Sequence, residues 1–102
     1  MAVLVTAVRQ ATMKSLPENV TAYGRTPEYD EENVPDMWLG SHTTKRGVWV
    51  KIVVLEGRLL YIIREPREEI LLDPDRFGVV EPRVSHLVKP VGKVRFYLEF
   101  YR

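Results

Sequence analysis

The C-terminal end of the chain alternates strictly between two kinds of side chain. Large apolar residues occupy every second position, and charged residues or tyrosine lie between them: Val94, Phe96, Leu98 and Phe100 against Arg95, Tyr97, Glu99 and Tyr101. Successive side chains of a β-strand point to opposite faces of the sheet, so this pattern predicts a strand with one buried face. No helical period of useful length competes with it elsewhere in the chain.

Short apolar runs of the same character precede this strand. Residues 48–55 and 58–64 are rich in β-branched and aromatic residues, and Glu56-Gly57 between them predicts a tight turn and hence a hairpin. Residues 69–72, 78–81 and 84–88 predict further short strands, with turns at 73–75 and 90–92. Three prolines before residue 42 favour short extended pieces over helices. Such spacing is typical of an all-β sandwich or barrel.

Composition limits the classes of function. A chain of 102 residues has room for one domain, and we expect residues 1–15 to be an N-terminal extension, poorly ordered, and residues 16–102 to be the domain. Fifteen basic against fourteen acidic residues give no basic excess, so nucleic acid is not expected as a partner. Cysteine is absent, and no apolar run approaches the roughly 20 residues that cross a bilayer. We therefore expect a cytoplasmic protein that does not bind membranes.

The two histidines are the first candidates for chemistry. His42 and His86 lie far apart in the chain and match no local metal-binding spacing, and Glu81 and Asp36 are the nearest oxygen donors in sequence. A protein metal site normally uses at least three ligands, so spacing alone favours two unrelated polar residues. Neither Ser85 nor Ser41 forms a nucleophile–base pair with its neighbouring histidine, since adjacent strand residues face opposite ways.

A second group of residues predicts a ligand pocket. Trp49 and Lys51 share one face of the predicted strand, and Tyr61 and Arg95 extend an aromatic and basic lining suited to a small organic ligand or an oxyanion. Core packing is the alternative interpretation of Trp49, because aromatic burial dominates small cores.

Several segments in order resemble the TehB/YeaR-like domain family. They include Thr26-Pro27-Glu28-Tyr29, the His-x-x-Lys-x-Gly-x-Trp segment from His42 to Trp49, Glu-Pro-x-x-x-His from Glu81 to His86, and residues 96–101. The resemblance implies a cupin-like fold, a small double-stranded β-helix or jelly-roll barrel. Members occur alone or ahead of a methyltransferase in tellurite-resistance proteins, so the resemblance implies the accessory domain and not the methylating enzyme.

The resemblance to cupins also implies a metal site, with departures. Thr44 stands where a second histidine is expected after His42, and the glutamate position near Val50 is apolar. His42 and His86, with Glu81 as the candidate third ligand, would hold one zinc, nickel or iron ion.

Two hypotheses about function follow from these candidates. The first is a metal-binding domain that acts on or sequesters a small stress-related molecule. The second is a non-catalytic barrel that binds a small ligand or oxyanion without metal. Whether the protein is an enzyme stays open. A homodimer is expected, because strand edges at either end of the chain would otherwise be exposed.

Overall fold

The computed structural model describes residues 14–102 and is built almost entirely of β-strands. The elements in chain order are β1 (Ala22–Arg25), β2 (Tyr29–Asp30), α1 (Asp36–Leu39), β3 (Trp49–Arg64), β4 (Arg67–Leu72), β5 (Gly78–Val80) and β6 (His86–Tyr101). The all-β class is thus confirmed, with one short helix added. The predicted extension at residues 1–15 falls almost wholly outside the described residues. None of the described helices is long and apolar enough to cross a membrane.

Two long antiparallel strands, β3 and β6, organise the sheet. They pair along almost their whole length, from Trp49 opposite Tyr101 to Ile63 opposite His86. The far edge of β6 carries β1 and β2, and the far edge of β3 carries β5 and then β4. Pairing among residues 14–102 therefore gives one open antiparallel sheet. The predicted closed barrel of the cupin or jelly-roll type is not observed, because no pairing among the described strands joins the two ends of the strand order.

The predicted hairpin at Glu56-Gly57 is wrong. Gly57 does adopt a positive φ of 80°, but it lies inside β3, at a break in register with β6. Gly92, with a φ of 71°, lies in the skipped stretch of β6 between Val91 and Val94, so the predicted turn at residues 90–92 is also part of a strand. Paired irregularities of this kind are β-bulges, which bend a strand without ending it. The hairpin lies further on, where Glu65-Pro66 joins β3 to β4.

The bend packs one half of the sheet against the other. Gly78 of β5 lies between them: a Cβ at this position would be 3.3 Å from Ile52 Cδ1 of the first half and 2.9 Å from Leu72 Cδ1 of the second. The alternation predicted for β6 is confirmed, since Val94, Phe96 and Leu98 are buried and Phe100 packs against the same core. Trp38 of α1 covers this core from the N-terminal side.

The polar turns follow the sequence closely. Asp30 Oδ1 accepts hydrogen bonds from the N–H groups of Glu32 and Asn33, each 2.8 Å long. Asp73 Oδ1 likewise accepts one from the N–H of Asp75 at 2.8 Å. Short side-chain carboxylates stabilise turns in this way, and the turn predicted at residues 73–75 is confirmed.

Candidate functional site

The backbone brings the two histidines into direct register. The N–H of His42 donates to the carbonyl of His86 at 2.8 Å, and the N–H of His86 donates to the carbonyl of His42 at 2.9 Å. The two ring centroids are 5.7 Å apart and the rings are nearly perpendicular, at 81°. This antiparallel bridge fastens the segment before β3 to the start of β6, so residues distant in sequence share one site.

His86 is held as a neutral imidazole. Its side chain is buried, at 3 % exposure, and Nδ1 lies 3.0 Å from the carbonyl oxygen of Val84. A carbonyl only accepts, so Nδ1 carries the proton and the lone pair lies on Nε2. Burial lowers the pKa of His86 below its ordinary value, the charge of His42 lowers it further, and the hydrogen bond to Val84 partly opposes both.

Aromatic rings enclose the histidine pair from both sides. The Trp38 ring centroid lies 4.6 Å from that of His42, and the Tyr61 ring centroid lies 6.1 Å from that of His86. The Tyr61 hydroxyl donates to the carbonyl of Val79 at 3.2 Å. Burial raises the pKa of Tyr61, and the charges of Glu81 and Glu68 raise it further. Tyr61 is therefore a neutral, hydrogen-bonded core residue.

Thr44 joins the two segments on which the family resemblance rests. Its hydroxyl donates to the carbonyl of Val48 at 2.9 Å and accepts from the N–H of Arg83 at 3.2 Å. Arg83 has a φ of 65°, a conformation that is uncommon outside glycine. Thr44 thus stands where the resemblance to metal-binding cupins suggested a second histidine. Its hydroxyl instead links segments 42–51 and 80–86 through these hydrogen bonds.

A cavity of about 280 Å³ opens beside His42. It is lined by Tyr23, His42, Thr43, Thr44, Lys45, Val48 and Phe100. Within residues 14–102, the ring nitrogens of His42, the hydroxyl of Thr43 and the ammonium of Lys45 form no hydrogen bond or ion pair. Three donor-bearing side chains therefore border one small space and are available to a ligand.

Glu81 does not join the histidine pair. Among residues 14–102 no group of three or more histidine, aspartate or glutamate side chains is arranged to hold a metal ion. Glu81 instead lines a separate cavity of about 210 Å³ together with Glu65 and Glu68, beside Tyr61. The described residues thus supply only part of a metal site, because the two imidazoles are two of the four ligands of a tetrahedral ion.

The four residues predicted to line one pocket lie in different places. Trp49 and Lys51 are half-buried on the outer face of the sheet, where the Lys51 ammonium lies 4.4 Å from the ring centre of Phe77. Tyr61 is in the core, and the exposed Arg95 forms ion pairs with Glu28 at 2.8 Å and Glu56 at 3.4 Å. Tyr61 is an even number of residues from Trp49 and Lys51 but faces the core, because the bulge near Gly57 shifts the alternation of β3 by one residue. The four residues therefore line no common cavity in the described part of the chain.

Sequence reasoning missed the residues that border the cavity with His42. Thr43 and Lys45 lie in an irregular segment without hydrophobic period, and Tyr23 lies on an exposed edge strand. The one signal for them was proximity, because Thr43 and Lys45 belong to the same short segment as His42.

Fold and site together define a small, mostly β domain in which a cavity with unpaired donor groups adjoins a histidine pair. A family model described as the TehB-like domain matches residues 24–98. The chain belongs to the TehB-like domain family, as its sequence segments indicated.

Two relatives from Haemophilus influenzae extend the comparison. One is a curated protein of strain Rd, "Probable S-adenosyl-L-methionine-dependent methyltransferase TehB", which is 30 % identical over 82 residues. That match covers 76 % of this chain and 29 % of the relative, so the chain spans less than a third of that protein. The crystal structure of TehB from Haemophilus influenzae has a TM-score of 0.75 and 29 % identity, covering 82 % of this chain and 32 % of its own.

A solved structure of similar size shares the fold. A crystal structure of a protein from E. coli strain K12 has a TM-score of 0.81 and 21 % identity. The match covers 88 % of this chain and 97 % of that one, so this fold also makes up nearly the whole of a crystallised chain.

Proposed function

We propose that this chain is a binding domain for small anions, with the cavity beside His42 as its site. The observation that carries the proposal is the lining of this cavity. Among residues 14–102 it contains Lys45, His42 and Thr43 and no carboxylate. Three other cavities in the described part of the chain each include at least one aspartate or glutamate side chain. An anion is therefore favoured in this cavity over the others.

The donors suit an oxyanion in particular. Hydrogen bonds between a charged donor and an anionic oxygen are about twice as strong as neutral ones, and Lys45 supplies such a donor. Thr43 adds a hydroxyl and His42 a ring N–H. The backbone bridge to His86 and the ring of Trp38 fix the position of His42, so one donor at least is preorganised.

The family connection suggests which oxyanion to test first. The curated relative is named a probable methyltransferase, and this chain corresponds to less than a third of it, so we propose capture of an anion and assign no methyl transfer to these residues. Resemblance to domains of tellurite-resistance proteins makes tellurite the first probe. In this proposal the domain would bind tellurite, as a stress-related molecule, and raise its local concentration for a partner enzyme.

Isothermal titration with tellurite tests the proposal. The parent protein is expected to bind one tellurite per chain, and Lys45→Ala is expected to weaken binding at least tenfold, about 1.4 kcal/mol, because a charged hydrogen bond is lost. His42→Ala should weaken it to a similar degree. Lys89→Ala removes another exposed lysine, on β6 and outside the cavity lining, and should leave the affinity unchanged.

Two outcomes would contradict this function. One is the absence of heat from tellurite, selenite and sulfate alike at millimolar concentration. The other is equal loss of affinity in Lys45→Ala and Lys89→Ala, which would indicate attraction by the general surface charge.

A second candidate use of the histidine pair is a divalent cation. The favouring observations are the 5.7 Å separation of the rings and the Nε2 lone pair of the neutral His86. Two imidazoles with water completing the shell would give a weak site for zinc, nickel or iron. Zinc titration is expected to show one micromolar-range site that is lost in both His42→Ala and His86→Ala. Zinc uptake that survives either substitution, or no uptake, would rule out the shared site.

A further inference from the structure

We infer that the anion bound beside His42 is organic, with an anionic head and an apolar, planar body. This inference rests on the proposed anion-binding function and adds the class of ligand. It comes from the part of the cavity lining that a bare oxyanion leaves unused, namely the rings of Tyr23 and Phe100 and the side chain of Val48.

The apolar side of the cavity is a continuous wall. The ring centroids of Tyr23 and Phe100 lie 6.4 Å apart with a tilt of 40°, within the range of interacting aromatic pairs. The Phe100 ring also packs against the ring of Trp38, with 6.4 Å between the two centroids, and this contact limits its movement. A flat apolar group placed against this wall would lose contact with water on one face.

Tyr23 has the exposure expected of a ligand-binding side chain. It is 46 % exposed, so one side of its ring is open to a ligand, and the Arg102 guanidinium lies 4.1 Å from the ring centre. That guanidinium also brings a second positive charge close to the wall. Exposed aromatic surface next to cationic groups matches a ligand that is both apolar and anionic.

The size of the cavity agrees with this class. At about 280 Å³ it lies just below the roughly 300–1,000 Å³ range of pockets for drug-sized ligands, which suits a smaller organic molecule. Polar donors from Thr43 and Lys45 lie in the same lining as the aromatic wall, so head and body of one small molecule can be bound together.

Comparing benzoate with acetate tests the inference, since the two carboxylates have the same charge and differ in the phenyl group. Benzoate is expected to bind at least tenfold more tightly than acetate by isothermal titration. Tyr23→Ser should reduce this preference to about threefold or less, because it lowers the affinity for benzoate more than the affinity for acetate. Tyr23 is outside the core, so the variant is expected to fold. Tyr29→Ser, remote from the cavity, controls for loss of an aromatic residue.

The outcomes separate the two proposals. Equal binding of benzoate and acetate, with tellurite still bound through Lys45, overturns the organic ligand and leaves the anion site standing. Failure of all three anions to bind overturns both. A preference for benzoate that survives in Tyr23→Ser places the apolar contact elsewhere and also overturns the inference. In the supporting result, benzoate shifts the ring resonances of Tyr23 and Phe100 in NMR spectra and acetate does not.

Discussion

Replacing Gly57 with alanine is expected to destabilise the protein by about 4 kcal/mol or more, in the exceptional range for one substitution. Two costs combine. A non-glycine residue at a φ of 80° costs about 1–2 kcal/mol. In addition, the new Cβ would lie 2.0 Å from the carbonyl oxygen of Lys93, a backbone atom that can move only if the pairing of β3 with β6 is disturbed. Urea denaturation of parent and variant measures the difference.

Two other glycines provide matched controls for this experiment. Gly92 has a φ of 71° but nothing within 4 Å of an added Cβ, so Gly92→Ala should cost only the conformational part, about 1–2 kcal/mol. Gly24 has open space and no positive φ, and Gly24→Ala should be neutral within about 0.5 kcal/mol. If the substitutions at positions 57 and 92 destabilise the protein equally, the close approach of the new Cβ to the Lys93 carbonyl oxygen contributes nothing to the free energy of unfolding.

The same glycine explains why the predicted hairpin was wrong. A two-residue hairpin turn and a glycine-type β-bulge both use a residue of positive φ, and Glu56-Gly57 between two apolar runs is compatible with either. The choice depends on pairing with β6, a strand some forty residues away in the chain, which local sequence does not specify. Strand content, the buried face of β6 and the turn at Asp73 were predictable because each depends on near neighbours. The closed barrel was inferred from family resemblance and strand spacing, neither of which determines closure.

The candidate site, like the fold, could be predicted from the sequence only in part. Spacing alone gave no reason to associate His42 with His86, but the resemblance pointed to both segments, and an antiparallel bridge joins them. The pocket predicted around Trp49 and Lys51 required a single inner face, whereas these residues lie on the outer face of the sheet. Lys45 is the lysine of the His-x-x-Lys-x-Gly-x-Trp segment on which the resemblance rests, but the sequence gave it no role. Its role as a candidate donor comes from the cavity that it shares with His42.

Substitution of Trp38 by alanine is expected to cost about 3–5 kcal/mol, the range for removal of a large aromatic side chain from a core. Trp38 is 7 % exposed and packs on the core from α1. Its ring also contacts those of His42 and Phe100, so the same change should weaken tellurite binding by roughly tenfold, since His42 loses the packing that positions it. Trp38→Phe should retain most of both properties.

The second tryptophan is the matched comparison. Trp49 is half-buried on the outer face, opposite Val50 and the core, so Trp49→Ala should cost about 1 kcal/mol and leave anion affinity unchanged. Urea denaturation and tellurite titration on both variants distinguish a tryptophan that supports the site from one that only covers the sheet. If Trp49→Ala is as damaging as Trp38→Ala in both measurements, the loss of affinity follows general destabilisation of the fold, and Trp38 has no specific part in positioning His42.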